Sequence, residues 1–267
     1  NSGADNTTST NVTLTLSATD SEGVTGYYAS ESSTAPANNA SGWASVTGST
    51  SYSDNVSFTL SNVSSFSTHS RTIYVWYKDN AGNVSVSASA VIALIKKVIY
   101  VSSGGNHNCA ILISKKVYCW GQNDYRWGGG IGGSGQLGDG TTAHSSTPVL
   151  VKNIDNSSLI SAGQYHNCSV LTDGKIKCWG WGTGYGVSGL NSAMTLINGI
   201  STAISVSSSN GEHSDQGTCA VLSDGKIKCW GGLWTGNGLT SGSTYPTDSA
   251  TGISNATSVS TGGDHIC

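Results

Sequence analysis

The sequence is poor in charge, in proline and methionine, and in long apolar runs. Only 10% of its 267 residues are charged and the formal net charge is −3, so the basic footprint of a nucleic-acid binder is missing. The longest apolar run, AVIALI at 90–95, is far too short to cross a bilayer. No segment keeps the three-to-four spacing of an amphipathic helix. These absences exclude a nucleic-acid partner, membrane insertion of this segment and a helical fold.

Aromatic residues and regular alternation take the place of charge. The chain contains eight Trp and eleven Tyr among many Gly, Ser, Thr and Asn residues. Low-complexity disordered chains have few aromatic residues, so this composition indicates a folded protein. Apolar residues that alternate with polar ones are typical of half-buried strands. The sequence therefore predicts an all-β protein of about two domains.

Residues 1–95 contain no cysteine and consist of short alternating segments. In NVTLTLSA, Val12, Leu14 and Leu16 share one face, and DSEG at 20–23 is a predicted turn into VTGYYAS. Further segments are NVSFTLS, TIYVWYK and VSVSASAVIAL. Six or seven short strands with turns between them predict an immunoglobulin-like β-sandwich.

Three phrases in this region, LSATDSEGVTGYYAS, the isolated Gly42-Trp43 and YVWYKDNAGNVS, resemble a bacterial extracellular immunoglobulin-like module. The resemblance implies a spacer or stalk on a secreted or surface protein. It covers most of residues 1–92. The chain starts close to the first clear strand, so an opening strand can be missing.

After Lys96-Lys97 the pattern changes to long repeats that contain Cys, Trp and Gly. Aligned on the first cysteine, the copies lie 48 to 59 residues apart, which is the length of one propeller blade. Their lead-ins VSSGGNHNC, SAGQYHNC and STGGDHIC share small residues, a Gly and His-x-Cys. The first cysteines of the four copies are Cys109, Cys168, Cys219 and Cys267.

Together with CWGQN and GSGQLGDGT, these phrases resemble the repeats of the regulator of chromosome condensation family, and the cysteine pairs resemble those of secreted bacterial members. The resemblance implies that residues 96–267 form a partial β-propeller of repeated four-stranded blades, incomplete at the C-terminus. The third lead-in departs from the pattern, because His213 precedes its cysteine by six residues. The nuclear member of the family activates a small GTPase, but no residue pattern here supports that activity.

The cysteine pairs are best explained by a hairpin. If Thr172, Asp173 and Gly174 form a three-residue loop, Cys168 faces Cys178 at a non-hydrogen-bonded site, where a disulfide is permitted. Each bridge would close a loop of about ten residues and contribute about 2–3 kcal/mol. Metal ligation and free redox thiols are the alternatives. Zinc spacing and a helix-start setting for a reactive thiol are both absent. The expected disulfide cysteines are Cys109, Cys119, Cys168, Cys178, Cys219, Cys229 and Cys267.

The first and the last copy of the cysteine pattern depart from the other two. ISKK in the first copy lacks the Gly of the turn, so Lys115 must take a left-handed backbone or the loop must differ. Cys267 is expected to find its partner beyond the C-terminus, because the family's seven-bladed ring needs more blades. Continuation of the chain is the favoured expectation, and a second subunit that completes the ring is the alternative.

Other repeating residues are expected to be structural. His107, His166 and His265 would form a hydrogen bond across a blade turn, and the Asp residues of the Asp-Gly turns would shape those turns. No residues are expected to be catalytic, to hold a cofactor or to bind a metal. Trp127, Trp181 and Trp234 lie in Gly-rich loops and are candidate ligand contacts. Burial under neighbouring blades is the favoured alternative for each of the three.

The sequence leaves two functions open. The first is a secreted or cell-surface structural or adhesive repeat protein of bacterial type, or a subunit of an extracellular filament or sheath that contacts copies of itself. The second is a propeller-type module that binds a protein or glycan on a surface. Both place the protein in an extracellular, oxidising environment, and neither is enzymatic.

Overall fold

The computed structural model divides the chain into two compact units, Asn1–Lys97 and Val98–Cys267. It describes residues 6–61, 69–127, 130–132, 135–182, 194–211, 217–231, 243–248 and 253–262. Within this part of the chain, no helix has the length and apolar character needed to cross a membrane.

The first unit forms one five-stranded sheet in the order β1-β5-β4-β2-β3. Its strands are β1 (Asn6–Thr7), β2 (Asn11–Ser30), β3 (Ala44–Thr59), β4 (His69–Asp79) and β5 (Ala88–Leu94).

This sheet differs from the expected sandwich of six or seven short strands in two sheets. The predicted turn at 20–23 lies inside the continuous strand β2, where the register against β3 shifts between Thr19 and Val24. A bulge therefore absorbs the extra residues, and Gly23 adopts a φ of 88° there. Asp and Gly in DSEG indicated a change of backbone, but sequence does not distinguish a bulge from a chain-reversing turn.

Alternation builds the core of the first unit. Val12 and Leu16 of β2 belong to the same buried cluster as Ile73 and Val75 of β4 and Ile92 of β5. The β2 stretch that carries Val12 and Leu16 pairs with β3, whereas only the later part of β2 pairs with β4. Residues from strand stretches that do not pair with one another therefore meet in one core.

The second unit contains three four-stranded antiparallel sheets, called blades 1 to 3 here. Blade 1 is built from β6 (Val98–Ser103), β7 (His107–Leu112), β8 (Val117–Gly121) and β11 (Ser145–Leu150). Blade 2 contains β12 (Ser157–Ala162), β13 (His166–Leu171), β14 (Ile176–Gly180) and β15 (Thr195–Leu196). Blade 3 contains β16 (Ala203–Ser208), β17 (Gly217–Leu222), β18 (Ile227–Gly231) and β19 (Ser243–Asp248). A separate hairpin in blade 1's long loop pairs β9 (Tyr125–Trp127) with β10 (Gly130–Gly132).

Successive blades pack face to face through buried apolar residues. Trp179 of blade 2 lies in one cluster with Cys109 and Ile111 of blade 1. Trp230 of blade 3 joins Cys168 and other blade 2 residues in the same way. Trp179 and Trp230, which follow the second cysteine of blades 2 and 3, thus pack against the disulfide side of the preceding blade. Burial of such large rings supplies much of the apolar area that holds the blades together.

Candidate functional site

The central hairpin of each blade carries a disulfide. Cys168 lies directly opposite Cys178 in the strand register, with Val170 opposite Ile176, as the three-residue loop predicts. In all three hairpins the bridged cysteines are ten residues apart and their Cα atoms are separated by 4.1 Å. The bridges join Cys109 to Cys119, Cys168 to Cys178, and Cys219 to Cys229. Cys267 lies outside the described residues.

The hairpin turns keep one backbone shape with different residues. Gly174 and Gly225 both have a φ of 76°, and Lys115 adopts 65° at the equivalent position of blade 1. The first of the two possibilities for ISKK is therefore the correct one. Asp173 and Asp224 accept hydrogen bonds from the main-chain N–H two residues later, which stabilises the turn. Asp139 does the same for Thr141 in the loop of blade 1.

Two of the repeated histidines, His107 and His166, form structural hydrogen bonds, but to the neighbouring blade and not across their own turn. His265 lies outside the described residues. His107 Nε2 lies 2.9 Å from Asn167 Oδ1 of blade 2, and both side chains are buried. His166 Nε2 lies 3.0 Å from the Thr218 hydroxyl of blade 3. The sequence pattern did not predict these contacts, because each partner lies in the next repeat, directly before its first cysteine.

The hydrogen-bond pattern fixes the tautomer of His107. Asn167 Nδ2 donates to the Gln136 carbonyl at 2.7 Å, which leaves Oδ1 to accept from His107 Nε2–H. Nδ1 of His107 is buried without a hydrogen-bond partner. Burial lowers the pKa of His107 below its usual 6.5, and the bond to Asn167 opposes this only in part. The ring is therefore held neutral.

The QLGDGT phrase completes the contact between blades 1 and 2. The Gln136 carbonyl also accepts a hydrogen bond of 3.0 Å from Trp179 Nε1. Fully buried Asn123 positions this phrase, because its Oδ1 accepts from the Leu137 N–H and its Nδ2 donates to the Thr141 and Ala143 carbonyls. The role of Asn123 was not predicted, although it follows the repeated Cys-Trp-Gly by only two positions.

His144 and Asp124 form the one histidine–carboxylate contact among the described residues. His144 Nε2 lies 3.5 Å from Asp124 Oδ2, and His144 Nδ1 accepts a hydrogen bond from the Asn123 N–H. Both ring nitrogens are thus used to hold the loop, and neither is directed as a base toward a substrate. The described residues also contain no group of three or more His, Cys, Asp or Glu side chains placed to hold a metal ion.

The ends of blades 1 and 2 at the histidine turns form a surface called the rim here. At the rim, the N–H of Gln122 donates to Asn106 and the N–H of Trp181 donates to Tyr165, at 2.8 and 2.9 Å. The same main-chain hydrogen bond, called the rim frame here, therefore carries the amide side chains of Asn106 and Gln122 in blade 1. In blade 2 it carries the aromatic rings of Tyr165 and Trp181. The half-buried rings of Tyr165 and Trp181 meet edge to face, with centroids 6.1 Å apart and planes at 83°.

Two of the three candidate tryptophans lie in described residues, and their positions differ. Trp181 lies at the rim in a turn after β14 and is half buried. Trp127 lies in the long Gly-rich loop of blade 1, where it ends the short strand β9 and pairs with Gly130. Trp234 lies outside the described residues. Tyr165 was missed by sequence reasoning, although its position directly before a repeated histidine was the signal.

Comparison with known families identifies the repeats in residues 98–186. Residues 98–126 and 158–186 match one model of the regulator of chromosome condensation (RCC1) repeat, and residues 127–170 match a second model of that repeat. The chain therefore carries RCC1 repeats, and they contain disulfides. The matches fall within the second unit, so the immunoglobulin-like assignment of the first unit stays a prediction.

Two curated relatives illustrate the similarity. The chain is 34% identical over 83 residues to protein RCC1 of Candida albicans, which is 30% of this chain and 18% of the relative. It is 26% identical over 155 residues to the ultraviolet-B receptor UVR8 of Arabidopsis thaliana, which is 55% of this chain and 32% of the relative. The chain thus spans less than a third of either relative.

Two solved structures show the same fold. One is Prp20p from Saccharomyces cerevisiae, described with its binding to Gsp1p and histones; the TM-score is 0.51 at 17% identity, covering 79% of this chain and 57% of that chain. The other is human WBSCR16, with a TM-score of 0.51 at 16% identity, covering 90% of this chain and 70% of that chain. With its four-stranded blades, the second unit is a partial β-propeller.

Proposed function

We propose that this chain is a propeller-type binding module that recognises a protein partner through the rim, with Tyr165 and Trp181 at the centre of the contact. The observation that carries the proposal is the fixed rim frame, which presents different side chains in successive blades. A rigid scaffold with variable groups at its loop ends is how many binding sites are built. Tyr and Trp are also the residues that most often dominate the energy of protein interfaces.

The blade structure supports this role, because it makes the rim rigid. Trp181 follows directly on β14, which is bridged to β13 by the Cys168–Cys178 disulfide. Tyr165 directly precedes His166, which is buried and bonded to blade 3. Little side-chain or loop entropy would therefore be lost when a partner orders this surface.

Similar proteins favour a protein as the ligand. Prp20p is described with binding to Gsp1p and histones, and yeast RCC1 (Prp20) has been solved with Kap60 bound. Glycan recognition is the other outcome that the test separates. The structural, adhesive or filament role expected from the sequence has no support among these proteins, and the binding module replaces it.

We further propose that the module works in an extracellular, oxidising environment and performs no catalysis. Three disulfides of the blades support the environment, because such bonds persist where thiols are not kept reduced. In this scheme the first unit serves as a spacer, the role that its resemblance to immunoglobulin-like modules implies.

The experiment compares Tyr165→Ala and Trp181→Ala with Tyr245→Ala, a matched control on β19 whose side chain is 65% exposed. The wild-type chain captures partners from the source cells' medium and surface extract, and the affinity of each variant for a captured protein is measured. We expect the rim variants to bind at least about tenfold more weakly and the control to bind normally. Equal affinity of all variants, or rim-dependent binding to a glycan array alone, would contradict the proposal.

A further inference from the structure

Successive blades meet at three junctions, and a serine recurs at each. Junction 1 lies between blades 1 and 2, junction 2 between blades 2 and 3, and junction 3 between blade 3 and residues 253–262, whose Val259 packs on blade 3. At each junction a serine hydroxyl accepts a hydrogen bond of 2.8–3.0 Å from a main-chain N–H of the next blade. The donor–acceptor pairs are Ala162 to Ser102, Ser208 to Ser161, and Thr261 to Ser207.

Junctions 1 and 2 also close tightly at the rim, where a glycine contacts both the next blade and a histidine ring. A Cβ at Gly104 would collide with the Gly163 carbonyl and lie 2.5 Å from His107 Cε1. A Cβ at Gly163 would lie 2.6 Å from the Ser209 carbonyl oxygen and 2.7 Å from His166 Cε1. Interiors are packed too densely to absorb such overlaps without movement. The blades approach this closely only because no side chain is present.

Main-chain hydrogen bonds cross these two junctions at the same place. The N–H of Gly105 donates to the Gly163 carbonyl at 3.2 Å across junction 1. The N–H of Gln164 donates to the Ser209 carbonyl at 3.1 Å across junction 2. The glycine, the main-chain bond and the histidine bond to the next blade therefore form one unit, called the glycine–histidine lock here.

In blade 3 both residues of the lock are replaced. Ser209 stands in the position of the glycine and Gly217 in that of the histidine, and the N–H of Ser209 still closes the turn on the Gly217 carbonyl at 2.8 Å. Ser209 Oγ accepts a hydrogen bond from the Gly217 N–H of its own blade at 2.9 Å. Asn210 and Gly262 are both described, and no main-chain bond joins this pair across junction 3.

The sequence of the next repeat agrees with this replacement of the lock residues. Asn167 and Thr218 stand directly before the first cysteines of blades 2 and 3 and bond the histidine of the preceding blade. The same position before Cys267 is occupied by Ile266, which has no polar side-chain atom. At the aligned positions the sequence therefore has neither a histidine, since Gly217 stands there, nor a polar side chain at Ile266.

We propose that the glycine–histidine lock holds the blade stack closed at the rim, and that junction 3 is built without it. The stack then parts at the corresponding end of junction 3 while junctions 1 and 2 stay closed. The opposite end of junction 3 remains bonded, because the Ala256 N–H donates to the Gly225 carbonyl at 3.1 Å. That end acts as the hinge. Opening requires no blade to unfold, since each hairpin keeps its own disulfide.

Hydrogen exchange of individual amides tests the proposal on the whole chain. In the wild-type protein we expect the Thr261 N–H of junction 3 to exchange faster than the Ser208 N–H of junction 2, although both donate to a serine hydroxyl. Thr218→Val then removes the hydroxyl that bonds His166 Nε2, with little change in side-chain shape. This change should accelerate exchange of the Gln164 and Ser208 amides about tenfold, the effect of losing one buried hydrogen bond.

The amides of Gly105 and Ala162 at junction 1 are the internal control in the Thr218→Val chain, because they lie at an intact lock. Unchanged exchange at Gln164 in that variant would overturn the lock. The Gln164 amide reports on junction 2 alone, so this result is independent of residues 253–262. Equal acceleration at both junctions would show general destabilisation and would also overturn it.

An engineered cross-link tests junction 3 directly. The hydroxyls of Ser207 and Thr261 lie 2.9 Å apart, so cysteines at both positions can form a bridge. The matched control replaces Ser161 and Ser208 by cysteines across junction 2. We expect the first bridge to slow exchange of nearby amides at least tenfold and the control bridge to change it less than threefold. Equal effects would mean that both junctions open alike and would contradict the proposal.

Discussion

His107 and Asn167 are sixty residues apart in the sequence, yet their side chains form a buried contact of 2.9 Å between Nε2 and Oδ1. The contact joins two blades that share no strand pairing. Asn167 is held in turn by the Gln136 carbonyl, to which its Nδ2 donates at 2.7 Å. A single amide therefore connects the histidine turn of blade 1, its long loop and the hairpin of blade 2.

Replacing Asn167 by alanine should lower the free energy of unfolding by about 2–3 kcal/mol, because a buried imidazole N–H loses its acceptor. Denaturant titration of the purified chain measures this change. Asn108 occupies the same repeat position in blade 1 but is half buried and accepts only from the Ser103 hydroxyl. Asn108→Ala should shift stability by less than about 0.5 kcal/mol. Equal losses for the two variants would contradict the role assigned to Asn167.

Stability should fall on mild acidification through His107. Burial lowers its pKa in the folded chain below 6.5, whereas the unfolded chain binds the proton near that value. The contribution is therefore fully present above pH 6.5 and is lost as the pH falls from there through the folded pKa, at up to about 1.4 kcal/mol per pH unit. Unfolding titrations between pH 7.5 and about pH 5 measure the slope.

His107→Leu is the control for this pH dependence. It removes the titrating group, so the variant should be less stable at pH 7.5 but should have a shallower slope below about pH 6.5. An unchanged slope would assign the acid sensitivity to other groups.

Lys115→Gly should stabilise the chain by about 0.5–1 kcal/mol, because a non-glycine residue at a φ of 65° is strained. Thermal unfolding measures the gain. The reciprocal change, Gly174→Ala, places a Cβ 2.6 Å from the Ser201 carbonyl oxygen at a φ of 76°, and should destabilise by more than the first change stabilises. Destabilisation by Lys115→Gly would show that the lysine side chain outweighs the backbone strain.

The three disulfides should resist reduction in the folded protein, because their cysteines are at most 1% exposed. Under reductant without denaturant, alkylation should leave the six bridged cysteines unmodified, and with denaturant all six should react. Intact mass measures both results. Replacing Cys168 and Cys178 together by alanine should reduce stability by about 2–3 kcal/mol. Rapid alkylation of the native chain would contradict the burial of these bridges.

Local patterns in the sequence were enough to predict the hairpins. Cys168, Asp173, Gly174 and Cys178 lie within eleven consecutive residues, and a three-residue loop sets which of them face each other. The resemblance of the repeated phrases to a known family implied the four-stranded blades of a partial propeller. The missing Gly left two possibilities for Lys115, of which the structure has the left-handed backbone. Within each hairpin the interacting groups are close in sequence, so strand geometry fixes the result.

Contacts between distant residues were decided only by the tertiary structure. The partner of His107 depends on which blade face packs against it, and the DSEG segment became a bulge because strands on both sides continued the same sheet. The rim pair of Tyr165 and Trp181 likewise depends on how two neighbouring turns meet. Sequence therefore determined the repeated hairpin and its disulfide. Packing between hairpins decided the glycine–histidine lock and the surface offered to a partner. It also revealed that Ser209 and Gly217 occupy the lock positions in blade 3.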